Sequence, residues 1–159
     1  GNDYPDNGER AIFFARGVLE TVKKLRWTPD IIHCQGWMTS VIPFYVKTAY
    51  KDEPQFASSK VITSLFAEQP QSNLGENFKQ CLEFREIKAG SLKKYGDNFD
   101  FMELGKLAID YSDGVISTSN NVNLDLIDYA KTSKASFFEH SVDDTDLKEK
   151  YSEFYNNII

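Results

Sequence analysis

The sequence predicts an α/β domain built on a parallel sheet, and three observations carry that prediction. Short apolar or β-branched runs at 30–33, 61–65 and 114–118 show no polar alternation, the pattern of strands covered on both faces. Segments with apolar residues three and four positions apart lie between them. Strand and helix patterns therefore alternate along the chain, as a parallel sheet with crossover helices requires.

The elements follow in order. Residues 1–7 are polar and read as a flexible lead-in, leaving 8–159 as a single domain. Asp6 with Glu9 resembles a capping box, and Ile12, Ala15, Val18 or Leu19, Val22 and Leu25 then mark a helical stripe. Pro29 closes it. Asp30 to His33 is a short buried strand, and Cys34 to Gly36 a loop. A helix is expected from near Trp37 to about Tyr50, with Pro43 as a possible kink or later start. Val61 to Leu65 is the second strand, and Leu74 to Arg85 a helix. Phe101, Leu104, Ala108 and Tyr111 face a longer helix. Gly114 to Thr118 is the third strand, and Ser119 the expected N-cap of the next helix. Ser136 to Phe138 reads as a fourth strand. Leu147, Tyr151, Phe154 and Ile158 mark a final helix, with Asp143, Asp144 and Asp146 crowding its positive end.

Composition narrows the function classes. A length of 159 residues suits one ordinary domain, or a large piece of one, with twelve Phe and eight Tyr to fill a core. The net charge of −6 without a basic stripe argues against a nucleic-acid partner. No apolar run reaches the ~18 residues of a membrane span, and no signal peptide opens the chain. Two unpaired cysteines, Cys34 and Cys81, fit a reducing compartment, so a cytoplasmic location is expected. The chain opens Gly-Asn-Asp rather than with Met, the expectation being a piece cut from a longer protein.

Candidate chemistry is sparse. Neither a Gly-x-Gly-x-x-Gly nor a Walker-type loop occurs, and no Gly-x-Ser-x-Gly elbow. His33 and Cys34 are neighbours on a strand and point to opposite faces, so they cannot share one metal ion. No cofactor is expected. Ligands of parallel sheets gather outside the carboxyl ends of the strands. That rule selects 34–38, 64–70, 118–121 and 139–143 as the ligand edge.

Residues 7–47 resemble the amino-terminal domain of bacterial glycogen synthases and plant starch synthases. The resemblance lies in Glu9-Arg10-Ala11, Phe13-Phe14, Ala15-Arg16, Leu19-Glu20, Trp27, Pro29 to His33, Trp37 and Pro43. Lys60 to Thr63, Lys106 to Ala108, Tyr111 to Asp113 and Ser117 to Ser119 extend it. It implies a Rossmann-like, three-layer portion of the first half of a GT-B glycosyltransferase. Such an enzyme extends an α-1,4-glucan from ADP-glucose or UDP-glucose without a metal. The family's Lys-x-Gly-Gly-Leu loop and its second domain, which binds most of the nucleotide-sugar, are not in this sequence.

The resemblance implies a substrate-binding set of His33, Gln35, Gly36, Trp37, Ser64, Leu65 and Ser119, and no catalytic residue. Two departures stand out. Gly36 occupies the place of the family's sugar-facing Asp, and Leu65 that of its active-site His. Two functional expectations follow: part of a glucosyltransferase inactive by itself, or a non-catalytic glucan-binding or assembly module. Three structural expectations accompany them. The strand with Ile31 and Ile32 is central, helices cover both faces, and an exposed sheet edge or apolar patch invites self-association.

Overall fold

A computed structural model describes residues 4–68, 74–75, 77–85, 87, 90–96, 99–140 and 146–159. Four parallel strands form one sheet in the order β1-β2-β3-β4: β1 Ile31–Gln35, β2 Lys60–Leu65, β3 Gly114–Ser117 and β4 Ser136–Glu139. The register pairs Ile32 with Val61, Thr63 with Val115 and Val115 with Phe137. This is an α/β Rossmann-like arrangement, consistent with half of a GT-B glycosyltransferase. Among the described residues β2 and β3, not β1, lie between two neighbours. The expectation of a central β1 is corrected: burial reports which faces are covered and says nothing of which strands are adjacent.

α1 spans Asn7–Lys24, and it buries Ala11, Ile12, Ala15 and Leu19. It ends one residue before Leu25, which is left exposed rather than closing the stripe. The capping box does not form. Asp6 caps no backbone N–H, and its carboxylate takes Arg10 Nε at 2.9 Å instead. The single helix expected from Trp37 to Tyr50 is two pieces, a 3-10 turn at Trp37–Thr39 and α2 at Ile42–Lys47. Pro43 lies at the start of α2, where its missing N–H costs nothing.

The helix expected over 74–85 is confined to α3, Phe78–Cys81. Gly75 (φ +99°) and Arg85 (φ +54°) sit in left-handed conformations that a helix cannot continue through. α4 spans Phe101–Asp110, and its N-cap Asp100 accepts from Glu103 N at 2.9 Å. α5 spans Leu124–Thr132. Its N-cap is Asn123, not Ser119, and Asn123 Oδ1 accepts from Asp125 N. α6 spans Leu147–Ile158 and has Asp146 at its N-cap; Asp143 and Asp144 lie outside the described residues.

Helices cover both faces, unequally. One face carries Cys34, Val61, Leu65 and Val115 under α1, α2, α4 and α5. The other carries Ile31, Ile62, Ile116 and Phe138, and α6 covers it with Tyr151, Phe154, Tyr155 and Ile158. Only Ile158 of α6 is buried. Two carboxylates fix the joints. Asp113 Oδ2 accepts from Val61 N and Lys47 Nζ, both at 2.7 Å, aligning β3 with β2. Asp110 accepts from Tyr95, Tyr129 and Lys94, clamping α4 to α5 and the 90–96 segment.

Candidate functional site

The carboxyl ends of β1, β2 and β3 bring most of the sequence-selected residues to one edge. β1 ends at Gln35, and Gly36 turns the chain with φ +78° and ψ 162°, a conformation open essentially to glycine alone. Its carbonyl accepts Thr39 N and Thr39 Oγ1, which fold the 3-10 turn back over the strand end. No atom lies within 4 Å of where a Cβ would stand on Gly36. The position is open to solvent, and only the backbone demands glycine there.

Trp37 is half-buried and meets the Phe101 ring edge-on, centroids 5.5 Å apart. It packs against the core. Leu65 is buried among Ile109, Val115 and Leu126. Gly36, Trp37, Ser64, Leu65, Phe66 and Leu126 line a cavity of about 30 Å³. That is the room of about one water, far below the ~300–1,000 Å³ of a ligand pocket. Phe66 is exposed beside it.

His33 and Ser64 stand on the opposite face, beneath α6. His33 Nε2 lies 2.7 Å from Ser64 Oγ, and Tyr155 Oη lies 2.8 Å from His33 Nδ1. Gln35 Nε2 approaches the same nitrogen at 3.4 Å, the weaker competitor for it. Burial lowers the His33 pKa below its usual value, because the imidazolium loses hydration with no carboxylate to replace it. The imidazole is therefore neutral at pH 7 and holds three elements together through hydrogen bonds. Tyr155 is the partner that sequence reasoning missed. It lies 122 residues from His33, and no local pattern joins a tail helix to the first strand.

Ser119 stands apart from this group. Its Oγ takes Asn121 N at 3.4 Å and its carbonyl takes Ser117 Oγ at 3.3 Å, so it serves the turn after β3. Residues 69–70 and 141–143 of the expected ligand edge lie outside the described residues. Burial raises the Cys34 thiol pKa to about 12, which leaves it a protonated, inert core group. Among the described residues no three His, Cys, Asp or Glu side chains converge on a metal-sized site, and no helix is long and apolar enough to cross a membrane.

Comparison with known proteins places the chain in a family. The family described as the starch synthase catalytic domain matches residues 1–137. A glycogen synthase of Clostridium perfringens is 36% identical over 141 residues, covering 87% of this chain and 27% of that protein. A glycogen synthase of Chlorobium luteolum is 35% identical over 119 residues, 75% of this chain and 24% of its own. One of Thermotoga maritima is 44% identical over 61 residues, 38% of this chain and 13% of that relative. The chain spans about a quarter of the first two relatives' length. No solved structure matches. With α1, β1, β2, β3 and the Gly36 turn inside the matched region, the chain belongs to the glycogen and starch synthase family.

Proposed function

We propose that this chain forms part of the first domain of a glucosyltransferase that extends an α-1,4-glucan from ADP-glucose or UDP-glucose. We further propose that residues 1–159 alone transfer no glucose. The family match across residues 1–137 carries the first statement. The second rests on what the strand ends offer. Neither Gly36 nor Leu65 has a side chain that can donate or accept a hydrogen bond, so neither can orient a sugar hydroxyl or stabilise developing charge. A cavity of about 30 Å³ holds neither donor nor acceptor. Holding both reactants together can supply ~7–11 kcal/mol of a barrier, and a single cleft wall cannot do it.

The test is incorporation of radiolabelled glucose into glycogen from each nucleotide-sugar. The expected outcome is transfer by the full-length protein and none by residues 1–159. The double change Gly36→Asp with Leu65→His leaves the isolated chain inactive. Glucan extension by residues 1–159 would overturn the second statement, and an inactive full-length protein the first.

The loss of both polar groups favours one second reading, a glucan-binding module without catalysis. Phe66, exposed beside the cavity, is its stacking candidate. Titration with maltooligosaccharides discriminates. A tryptophan fluorescence shift that Phe66→Ala removes would support binding, and no shift at millimolar ligand would end that reading.

A further inference from the structure

Three side chains from three elements form one hydrogen-bonded line, and donor chemistry fixes its direction. Tyr155 Oη on α6 lies 2.8 Å from His33 Nδ1, and His33 Nε2 lies 2.7 Å from Ser64 Oγ on β2. A neutral imidazole has one donor nitrogen and one acceptor nitrogen. Two donors converge on Nδ1, the Tyr155 phenol and, more weakly at 3.4 Å, the Gln35 amide. Nδ1 is therefore the acceptor, and Nε2 carries the proton. Ser64 Oγ then accepts from Nε2, which leaves the Ser64 O–H a donor with no acceptor among the described residues. Gln35, Ser64 and Tyr155 face the ring from β1, β2 and α6, and no charged side chain among the described residues does.

We propose, on the glucosyl-transfer reading above, that Tyr155 acts through His33 to position Ser64 as a hydrogen-bond donor to a sugar oxygen at the strand ends. Ser64 borders the cavity of about 30 Å³ beside Gly36 and directly precedes Leu65. Its hydroxyl is thus the polar group that β2 supplies to an edge where Gly36 and Leu65 supply none. An isolated serine hydroxyl rotates freely. Here one lone pair is taken by Nε2–H, so the O–H is confined to directions away from His33. Tyr155 itself touches no ligand and is a positioning residue. Without its O–H, the weaker Gln35 amide alone holds Nδ1 as the acceptor. α6 lies beyond residues 1–137, the stretch that the family matches, so the family pattern does not supply this line.

NMR of the 159-residue chain tests the direction of the line. His140 is the other histidine, and His33→Gln tells the two apart. Long-range nitrogen–proton correlation at pH 7.5 should place the His33 proton on Nε2; a proton on Nδ1 would overturn the proposal. A donor to Nδ1 stabilises the neutral ring, and an acceptor from Nε2–H the charged one. Tyr155→Phe should therefore raise the His33 pKa and Ser64→Ala lower it, with circular dichroism checking that both variants are folded. Shifts of the same sign, or in the reverse order, would overturn it too. In the full-length protein, glucose transfer is the readout. Each change should raise KM for a sugar substrate about three- to tenfold, the loss of one neutral hydrogen bond. The double variant should be no worse than Ser64→Ala, because Tyr155 acts only through Ser64. Additive losses, or Tyr155→Phe with KM unchanged for both substrates, would refute the positioning role. A full-length wild type without transfer would strike at the glucosyl-transfer reading instead, and the NMR shifts would still decide the line.

Discussion

Three glycines show how one residue type answers three different demands. At Gly36 the demand is conformational: space is open, but φ +78° with ψ 162° strains any other residue. Gly36→Asp therefore costs about 1–3 kcal/mol of stability, measured by urea unfolding, besides restoring no activity to the isolated chain. At Gly8 the demand is steric. A Cβ there would overlap the Leu74 carbonyl and come 2.6 Å from Phe78 Cδ2. Overpacking of ~1–3 kcal/mol exceeds the ~1 kcal/mol that alanine gains in a helix, so Gly8→Ala is a net loss. At Gly114 the group in the way belongs to α6. His33 gives a pH dependence. Its folded pKa lies below the ordinary value near 6.5, so the unfolded chain binds the proton more readily. The stability it contributes is whole above about pH 6.5 and falls as pH drops toward the folded pKa. In His33→Gln, urea midpoints between pH 7.5 and 5 should lose that part of the decline; an unchanged slope would refute the assignment.

α6 is the element held most lightly. One residue of it is buried, and its contacts include Gly114, His33 and Phe138. A Cβ on Gly114 would overlap Ile158 and reach Phe154 Cζ at 3.1 Å. Gly114→Ala should therefore lift α6 while β3 stays paired. Hydrogen exchange is expected to quicken in 147–158 and to stay slow in 60–65. Uniform loss of protection would instead mean that α6 opens only with the whole domain. α4 offers a contrast, being fixed at its start by a formed cap. Asp100→Ala removes the acceptor for Glu103 N and should cost about 1 kcal/mol, read from the shift of a urea midpoint.

Among the described residues the sheet is covered unevenly, α1 to α5 on one face and α6 on the other. The heavily covered face is further tied at its rim. Arg85 bridges Glu20 and Glu53, and its guanidinium lies over the Tyr50 ring at 4.3 Å from the centroid. The lightly covered face holds Ile62 and Ile116, both fully buried. Ending the chain after His140 would expose them to water. An apolar face laid open in this way should bind anilinonaphthalene sulfonate, with a rise in fluorescence and a lower melting temperature. No rise would show that other segments cover the face.

The four strands were legible in the sequence, because uninterrupted runs such as Val61 to Leu65 can be satisfied only by a strand covered on both sides. The grouping of Gln35, Gly36 and Leu65 was legible for the same reason: strand direction in a parallel sheet puts them at one end. Family resemblance, strong over residues 7–47, was readable there too. Strand order was not, since periodicity along one chain carries no information about lateral neighbours, and among the described residues β1 has one neighbour, β2. Helix bounds failed where backbone conformation overrode pattern, at Gly75 and Arg85, and where Asn123 rather than Ser119 took the cap. Tertiary structure alone decided that Trp37 packs on Phe101, that the cavity beside Gly36 is the size of a water, and that Tyr155 reaches His33. Those contacts join residues 64 to 122 positions apart, or depend on filled space, and the physics that sets them acts through packing rather than along the sequence.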